Sequence, residues 1–198
     1  MRRGALVLTL LAAAQVAVPV ALQAAGHPDA YAAQRALEDP RGDVWRVSAG
    51  SAEPTRTRGA DQDLRGGLLR HGATTVTVRW RYAALRPQGR LVVHRAMLRD
   101  RTGTTWEARV DAGPGSREGR AHVFTDDDRL VPCATEHRID VSRRTVTLRV
   151  PRSCLGDPTA LQGRLDTFRG DADGSFRRDN LHDRSAQTAR WTRMLTSG

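Results

Sequence analysis

Residues 74–82 read Thr-Thr-Val-Thr-Val-Arg-Trp-Arg-Tyr, so that Val76, Val78, Trp80 and Tyr82 alternate strictly with Thr75, Thr77, Arg79 and Arg81. A period of two in β-branched and aromatic residues fits only a strand with one buried and one wet face. A helix would scatter the same apolar residues around its circumference. The pattern recurs at residues 90–99, and Asp100-Arg101-Thr102-Gly103 then leads into a run at 104–110. If Gly103 takes the left-handed conformation that closes a three-residue hairpin loop, Leu98 falls opposite Trp106 and Ala96 opposite Ala108. That register puts Val92, His94, Ala96 and Leu98 on one face with Trp106, Ala108 and Val110.

Further short strands are expected at 43–47, 63–70, 121–124, 130–133, 137–141, 145–150 and 161–168, with 191–195 closing a sheet. Residues 48–60 and 111–119, rich in Gly, Pro and Ser/Thr, read as loops. Many short strands without an amphipathic helix imply an all-β fold, a two-sheet antiparallel β-sandwich of jelly-roll or immunoglobulin-like kind. The sandwich is assigned to residues 39–198 as a single domain. Residues 25–38, Ala-rich and mildly helical, are assigned as an N-terminal tether.

The chain opens Met1-Arg2-Arg3-Gly4, continues with an apolar stretch to Leu22 and then small residues at Ala24, Ala25 and Gly26. This order of charged, apolar and small residues is that of a secretory signal peptide, here residues 1–24. No later segment is apolar enough to span a membrane as a helix. The expected location is secreted or associated with the cell envelope. In such an oxidising compartment Cys133 and Cys154, the two cysteines, are expected to form a disulfide.

All 32 basic residues are arginine, and the chain carries a formal charge of +10. Arginine offers a planar donor fork suited to carboxylates and phosphates. The strand registers place Arg79, Arg81, Arg95 and Arg99 on outward faces of strands expected to be neighbours, with Arg109 joining them and Glu107 as their acidic neighbour. These five are the candidate residues for an anionic ligand. Trp80, Tyr82 and Trp106 fall on the buried parity, which removes the exposed stacking platform that nucleic-acid binding requires.

Loop carboxylates at a sandwich edge can converge on calcium, and Asp39, Asp43 and Asp63 are the candidates for such a site. Asp171-Ala172-Asp173-Gly174-Ser175 has the centre of a calcium loop but lacks its terminal carboxylate, and a plain turn explains it. No Gly-x-Ser-x-Gly elbow occurs, and the six histidines share no metal-ligand spacing. A hydrolase would need His94, His122 or His137 to meet an Asp and a Ser in three dimensions.

The segments Asp39-Pro40-Arg41-Gly42-Asp43-Val44, Asp61-Gln62-Asp63-Leu64, His71-Gly72 and Val150-Pro151-Arg152-Ser153-Cys154-Leu155-Gly156 together resemble a group of small exported proteins of GC-rich bacteria. At the level of fold the chain is also similar to sandwich modules of the DOMON and family 9 carbohydrate-binding type. That likeness implies a sandwich; the ligand residues of those modules have no positional match here. The function expected is an exported, non-enzymatic binding module for an anionic envelope polymer or an acidic partner protein. The alternatives are a hydrolase with a loop-assembled site and a calcium- or carbohydrate-binding module.

Overall fold

A computed structural model describes residues 33–39, 43–51, 53–57, 63–86, 91–181 and 190–198. Residues 1–24, expected to be a signal peptide, lie outside them. Sheet A contains β1 (Ala33–Glu38), β4 (Leu64–His71), β5 (Thr75–Tyr82), β9 (Glu136–Asp140) and β10 (Thr145–Pro151), in the order β1-β4-β5-β10-β9. Sheet B contains β2 (Trp45–Val47), β3 (Thr55–Arg56), β6 (Leu91–Asp100), β7 (Thr105–Gly113), β8 (Ser116–Thr125), β11 (Ala160–Gly170) and β12 (Phe176–Asn180), in the order β3-β2-β12-β11-β6-β7-β8. A short β13 (Leu195–Thr196) pairs with the first residues of β11. Every strand pair is antiparallel, and the two sheets pack together as a sandwich with one 3-10 turn, Arg152–Leu155.

The alternation that defines β5 works as expected. Val76, Val78, Trp80 and Tyr82 are buried, and they meet Ala96, Leu98, Ala108, Val110 and Leu165 of the opposite sheet in one core. The β6–β7 hairpin has the expected register, Leu98 opposite Trp106 and Ala96 opposite Ala108. Its loop is held by Asp100, whose carboxylate accepts from the N–H groups of Thr102 and Thr104 at 2.9 and 3.0 Å. Gly103 has φ +94°, the conformation that the turn demands of a residue without a Cβ. Cys133 and Cys154 are bridged, with Cα atoms 5.9 Å apart.

The structure departs from these expectations in several places. Residues 33–38 are a strand at the edge of sheet A rather than helical tether, because Leu37 buries its side chain in the core while Gln34, Arg35 and Ala36 stay exposed. The connection expected at 111–119 is instead the tip of a hairpin. There β7 and β8 pair through Asp111 opposite Arg120 to Gly113 opposite Ser116, with Pro114 and Gly115 alone at the turn. Residues 130–133 form no strand beyond an isolated bridge from Leu130 to Phe124. Finally, β12 occupies a stretch the sequence reading passed over, and Thr55–Arg56 pairs briefly with β2 inside the expected loop.

Candidate functional site

The five arginines proposed for one basic face do not share one. Arg79 and Arg81 stand on β5 in sheet A, whereas Arg95 and Arg99 stand on β6 and Arg109 on β7 in sheet B. All five are on the outward parity of their strands, but β5 and β6 belong to opposite layers, so their side chains leave the sandwich in opposite directions. The chain crosses between the sheets after Tyr82, a step that alternation along one strand does not encode.

On sheet A, Arg79 lies in a surface groove of about 420 Å³ with Arg138, Arg143 and Arg149. The groove's charges are largely matched. Arg149 meets Glu136 at 3.4 Å, and Arg138 and Arg143 meet Asp140 at 3.0 and 3.9 Å. Arg81 pairs with Glu38 at 3.2 Å beside the groove.

Sheet B gathers the other three arginines with several that the sequence reading did not single out. Successive outward positions of β11 are Gln162, Arg164, Asp166 and Phe168, opposite Arg99, Met97, Arg95 and Val93 of β6. The Asp166 carboxylate, 1% exposed, accepts from Arg95 Nε and Nη2 at 2.8 and 2.6 Å and from Arg178 Nη2 at 3.3 Å. Arg95 also lies 3.5 Å from Glu107, which Arg109 meets at 3.0 Å. The guanidinium of Arg95 is held firmly protonated: burial opposes its charge, and the carboxylates of Asp166 and Glu107 outweigh that penalty.

Aromatic rings are interleaved with these arginines. Arg95 and Arg178 lie 4.5 and 5.0 Å from the Phe168 ring centre, Arg109 lies 4.5 Å from that of Phe124, and Arg56 lies 5.2 Å from that of Trp45. Arg99 and Arg164 lie 4.3 and 5.0 Å from the ring centre of Trp191. Trp80, Tyr82 and Trp106 are buried as expected, but these four other rings, all half-buried, make the outer side of sheet B an arginine–aromatic platform. Their signal in the sequence was faint. Phe124 and Phe168 each sit one residue out of phase with the apolar alternation of their strands, and Trp191 is brought in by the C-terminal segment.

At the edge of the sandwich four aspartates are buried. Asp39 follows β1, Asp43 precedes β2, Asp63 precedes β4 and Asp179 lies in β12, with exposures of 7%, 2%, 5% and 1%. One carboxylate oxygen from each of Asp39, Asp43 and Asp179 lies within 4.8 Å of the others. Asp63 stands near enough to add its charge to theirs. Asp179 accepts from the Leu64 N–H at 2.6 Å and from the Asn180 N–H at 3.0 Å, which fixes its orientation. Burial pushes the Asp179 carboxyl up to about 8; the Leu64 hydrogen bond opposes the shift, while the negative charges of Asp39, Asp43 and Asp63 add to it. The sequence grouped Asp39, Asp43 and Asp63; the structure instead brings Asp39 and Asp43 together with Asp179, which was missed because β12 was not recognised, and leaves Asp63 outside that trio. The chemistry of the set, hard carboxylate oxygens alone, suits calcium or another hard divalent cation.

The other candidate residues separate. Residues 171–175 form the turn into β12, where Asp173 accepts from the Ser175 N–H at 2.9 Å and from Arg46 at 2.6 Å, and Asp171 meets Arg169 and Arg177 at 3.3 and 3.2 Å. His94 is sealed in the core, where its Nδ1 and the Tyr82 hydroxyl share a hydrogen bond; burial lowers its pKa to about 3. His122 stacks near Phe124 on the outside of sheet B, and His137 Nε2 donates to the Glu118 carbonyl at 2.9 Å. The three histidines are not gathered in one cleft. No known protein family, curated protein or solved structure matches this chain. Among the described residues no helix is long and apolar enough to cross a membrane.

Proposed function

We propose that this is an exported binding module whose sheet B platform holds an anionic polymer of the cell envelope, a glycan bearing repeated acid groups. The observation that carries the reading is the set of guanidinium–ring contacts made by Arg56, Arg95, Arg99, Arg109, Arg164 and Arg178, all on one sheet face. Stacking pre-orders arginines that would otherwise lose rotamer freedom on binding, and forked N–H groups suit carboxylate and phosphate oxygens. Export follows from the N-terminal pattern, and the Cys133–Cys154 bridge fits an oxidising compartment.

The test is binding to a polyuronate and to a neutral polysaccharide at two salt concentrations. The variants are Arg99→Gln/Arg109→Gln/Arg164→Gln on sheet B and Arg79→Gln/Arg149→Gln on sheet A. Arg95 and Arg178 are left intact because they hold Asp166. Polyuronate binding that weakens steeply with salt and is lost only in the sheet B variant supports the platform. Equal loss in both variants, or salt-independent binding to the neutral polymer, discards it. Capture of an acidic protein with no polymer binding assigns the face to a protein partner instead.

A second reading concerns the cofactor. The convergence of Asp39, Asp43 and Asp179 favours a divalent cation, calcium first, as part of the folded module. Oxygen ligands at about 2.4 Å from a shared calcium lie at most about 4.8 Å apart, and the three carboxylates meet that limit. Calorimetric titration with calcium and magnesium, on the native chain and on Asp43→Asn, tests it. Heat from neither ion, or equal heats in both proteins, rejects the site.

A further inference from the structure

Arg164 sits at a gap in the charge pattern of the platform. It stands diagonal to both Arg95 and Arg99 across β6, since Asp166 faces Arg95 and Gln162 faces Arg99. Arg95 and Arg178 are satisfied by Asp166. Arg99 has Gln162: with the carboxamide turned so that both its ends are satisfied, its oxygen accepts from Arg99 Nε and Nη2 at 2.7 Å and its nitrogen donates to the Thr192 carbonyl at 3.2 Å. Arg164 has no carboxylate in ion-pair range among the described residues, and its Nε is buried without a hydrogen-bond partner. Burial holds its pKa below the ordinary arginine value; the nearby Asp166 carboxylate opposes that shift, and repulsion from the guanidiniums of Arg95, Arg178 and Arg99 adds to it.

The remaining wall is Trp191. Its ring lies close to both Arg99 and Arg164, and it is fixed there by the C-terminal segment. Thr192 N–H donates to the Gly163 carbonyl at 2.8 Å while Thr192 Oγ1 accepts from the Gly163 N–H at 3.0 Å. Leu195 pairs with Leu161, and its carbonyl accepts from His71 Nδ1 at 3.0 Å. The segment therefore completes the sheet beside β11 and carries the indole onto the platform in one rigid unit.

We propose that Arg164 and Arg99, walled by Trp191, form a subsite for one tetrahedral oxyanion, a phosphate group of the ligand. This rests on the platform reading and gives it a ligand class. An acetate-like carboxylate would neutralise one of the excess charges, whereas a phosphate dianion neutralises two and has oxygens enough to reach the Nη ends of both side chains at once, with Arg99 Nε left to Gln162. A fixed site of this kind needs no rearrangement, because the arginines are already held by the ring, by Gln162 and by the sheet register.

The experiment uses the full folded chain with inorganic phosphate and acetate as probes, followed by calorimetry and by the Trp191 indole N–H resonance. Phosphate is expected to shift that resonance and to bind at least about tenfold more tightly than acetate. Arg164→Gln should weaken phosphate at least about tenfold and leave the melting temperature nearly unchanged, while Arg79→Gln on the opposite sheet leaves phosphate binding as it was. Should Arg164→Gln fold poorly, Arg99→Gln gives the same readout. An unmoved indole resonance, equal affinity for acetate, or equal effects of the Arg164 and Arg79 variants overturns the subsite. Polyuronate binding without a phosphate effect removes the subsite and leaves the platform. A local phosphate effect without any polymer binding keeps the subsite and removes the platform.

Discussion

Gly67 of sheet A stands directly against Leu181, so that a Cβ on it would lie 2.6 Å from Leu181 Cδ1, 2.9 Å from Leu165 Cδ2 and 3.0 Å from the Arg79 carbonyl. Gly163 of sheet B makes the reciprocal approach, where a Cβ would lie 2.8 Å from Leu69 Cδ2. Each sheet thus receives a leucine from the other into a place that has no side chain. The arrangement lets the two layers approach closely at both places.

Gly67→Ala and Gly163→Ala are each expected to destabilise the chain. Overpacking a dense core costs about 1–3 kcal/mol. None of the three leucines can withdraw easily, because Leu165, Leu181 and Leu69 are at most 1% exposed. Urea denaturation of the two variants checks this, and stability within about 0.3 kcal/mol of the native chain would contradict the close approach.

Acid–base titration of the core should give opposing slopes. The Asp179 carboxyl titrates near 8 in the folded chain against 3.8 when unperturbed, so the folded state holds a proton that the unfolded chain has lost. Stability should therefore fall as pH rises from about 4 toward 8. For His94, lowered from 6.5 to about 3, the folded state binds the proton less well, and stability should fall as pH drops below about 6.5. Melting temperature measured across pH 4–9 reads both. Asp179→Asn, which keeps an acceptor for the Leu64 N–H, should flatten the alkaline slope, and a slope unchanged by this variant would assign the titration elsewhere.

Calcium should act on the same slope. A cation bound to ionised Asp39, Asp43 and Asp179 favours loss of the proton, so added calcium should raise the melting temperature more at pH 8 than at pH 5. An equal rise at both pH values, or one that survives Asp43→Asn, would detach the ion from these carboxylates.

Reduction of the Cys133–Cys154 bridge should lower stability by about 3 kcal/mol, the chain-entropy estimate for a closed loop of this length. A Cys133→Ser/Cys154→Ser chain measured by denaturation gives the comparison. Unreduced folded protein should show no thiol reactive to alkylation.

Asp166→Ala should cost more than removal of any single platform arginine. It would leave Arg95 and Arg178 facing each other across Phe168 with their shared carboxylate gone. Hydrogen bonds to charged groups contribute about 1.5–3 kcal/mol, so a loss of that order is expected from chemical denaturation. A smaller loss than that of Arg109→Gln would show that the carboxylate does not organise the platform.

Much of the fold was legible because β alternation is local. The parity of Val76 to Tyr82, the Gly103 turn and the Leu98–Trp106 register each depend on a few neighbouring residues, and the structure has them as expected. The disulfide was legible from the even cysteine count and the compartment expected from the N-terminal pattern. Strand β1 was obscured because only Leu37 of its six residues is fully buried, so it carries almost no alternation.

Alternation tells whether a side chain points in or out, and by itself it determined that Arg79, Arg81, Arg95, Arg99 and Arg109 point out. Which layer each strand joins is a separate matter, decided by the crossover after Tyr82 and by pairing between distant strands such as β6 and β11. Only that long-range pairing separated Arg79 and Arg81 from the other three and set Arg164 beside Arg99. In the same way the sequence placed Asp43 and Asp63 at strand starts and Asp39 at the domain's beginning, and grouped the three as loop carboxylates. The meeting of Asp39 and Asp43 with Asp179, more than a hundred residues away, was decided by tertiary structure, because β12 brings that carboxylate to the same edge only when both sheets have formed.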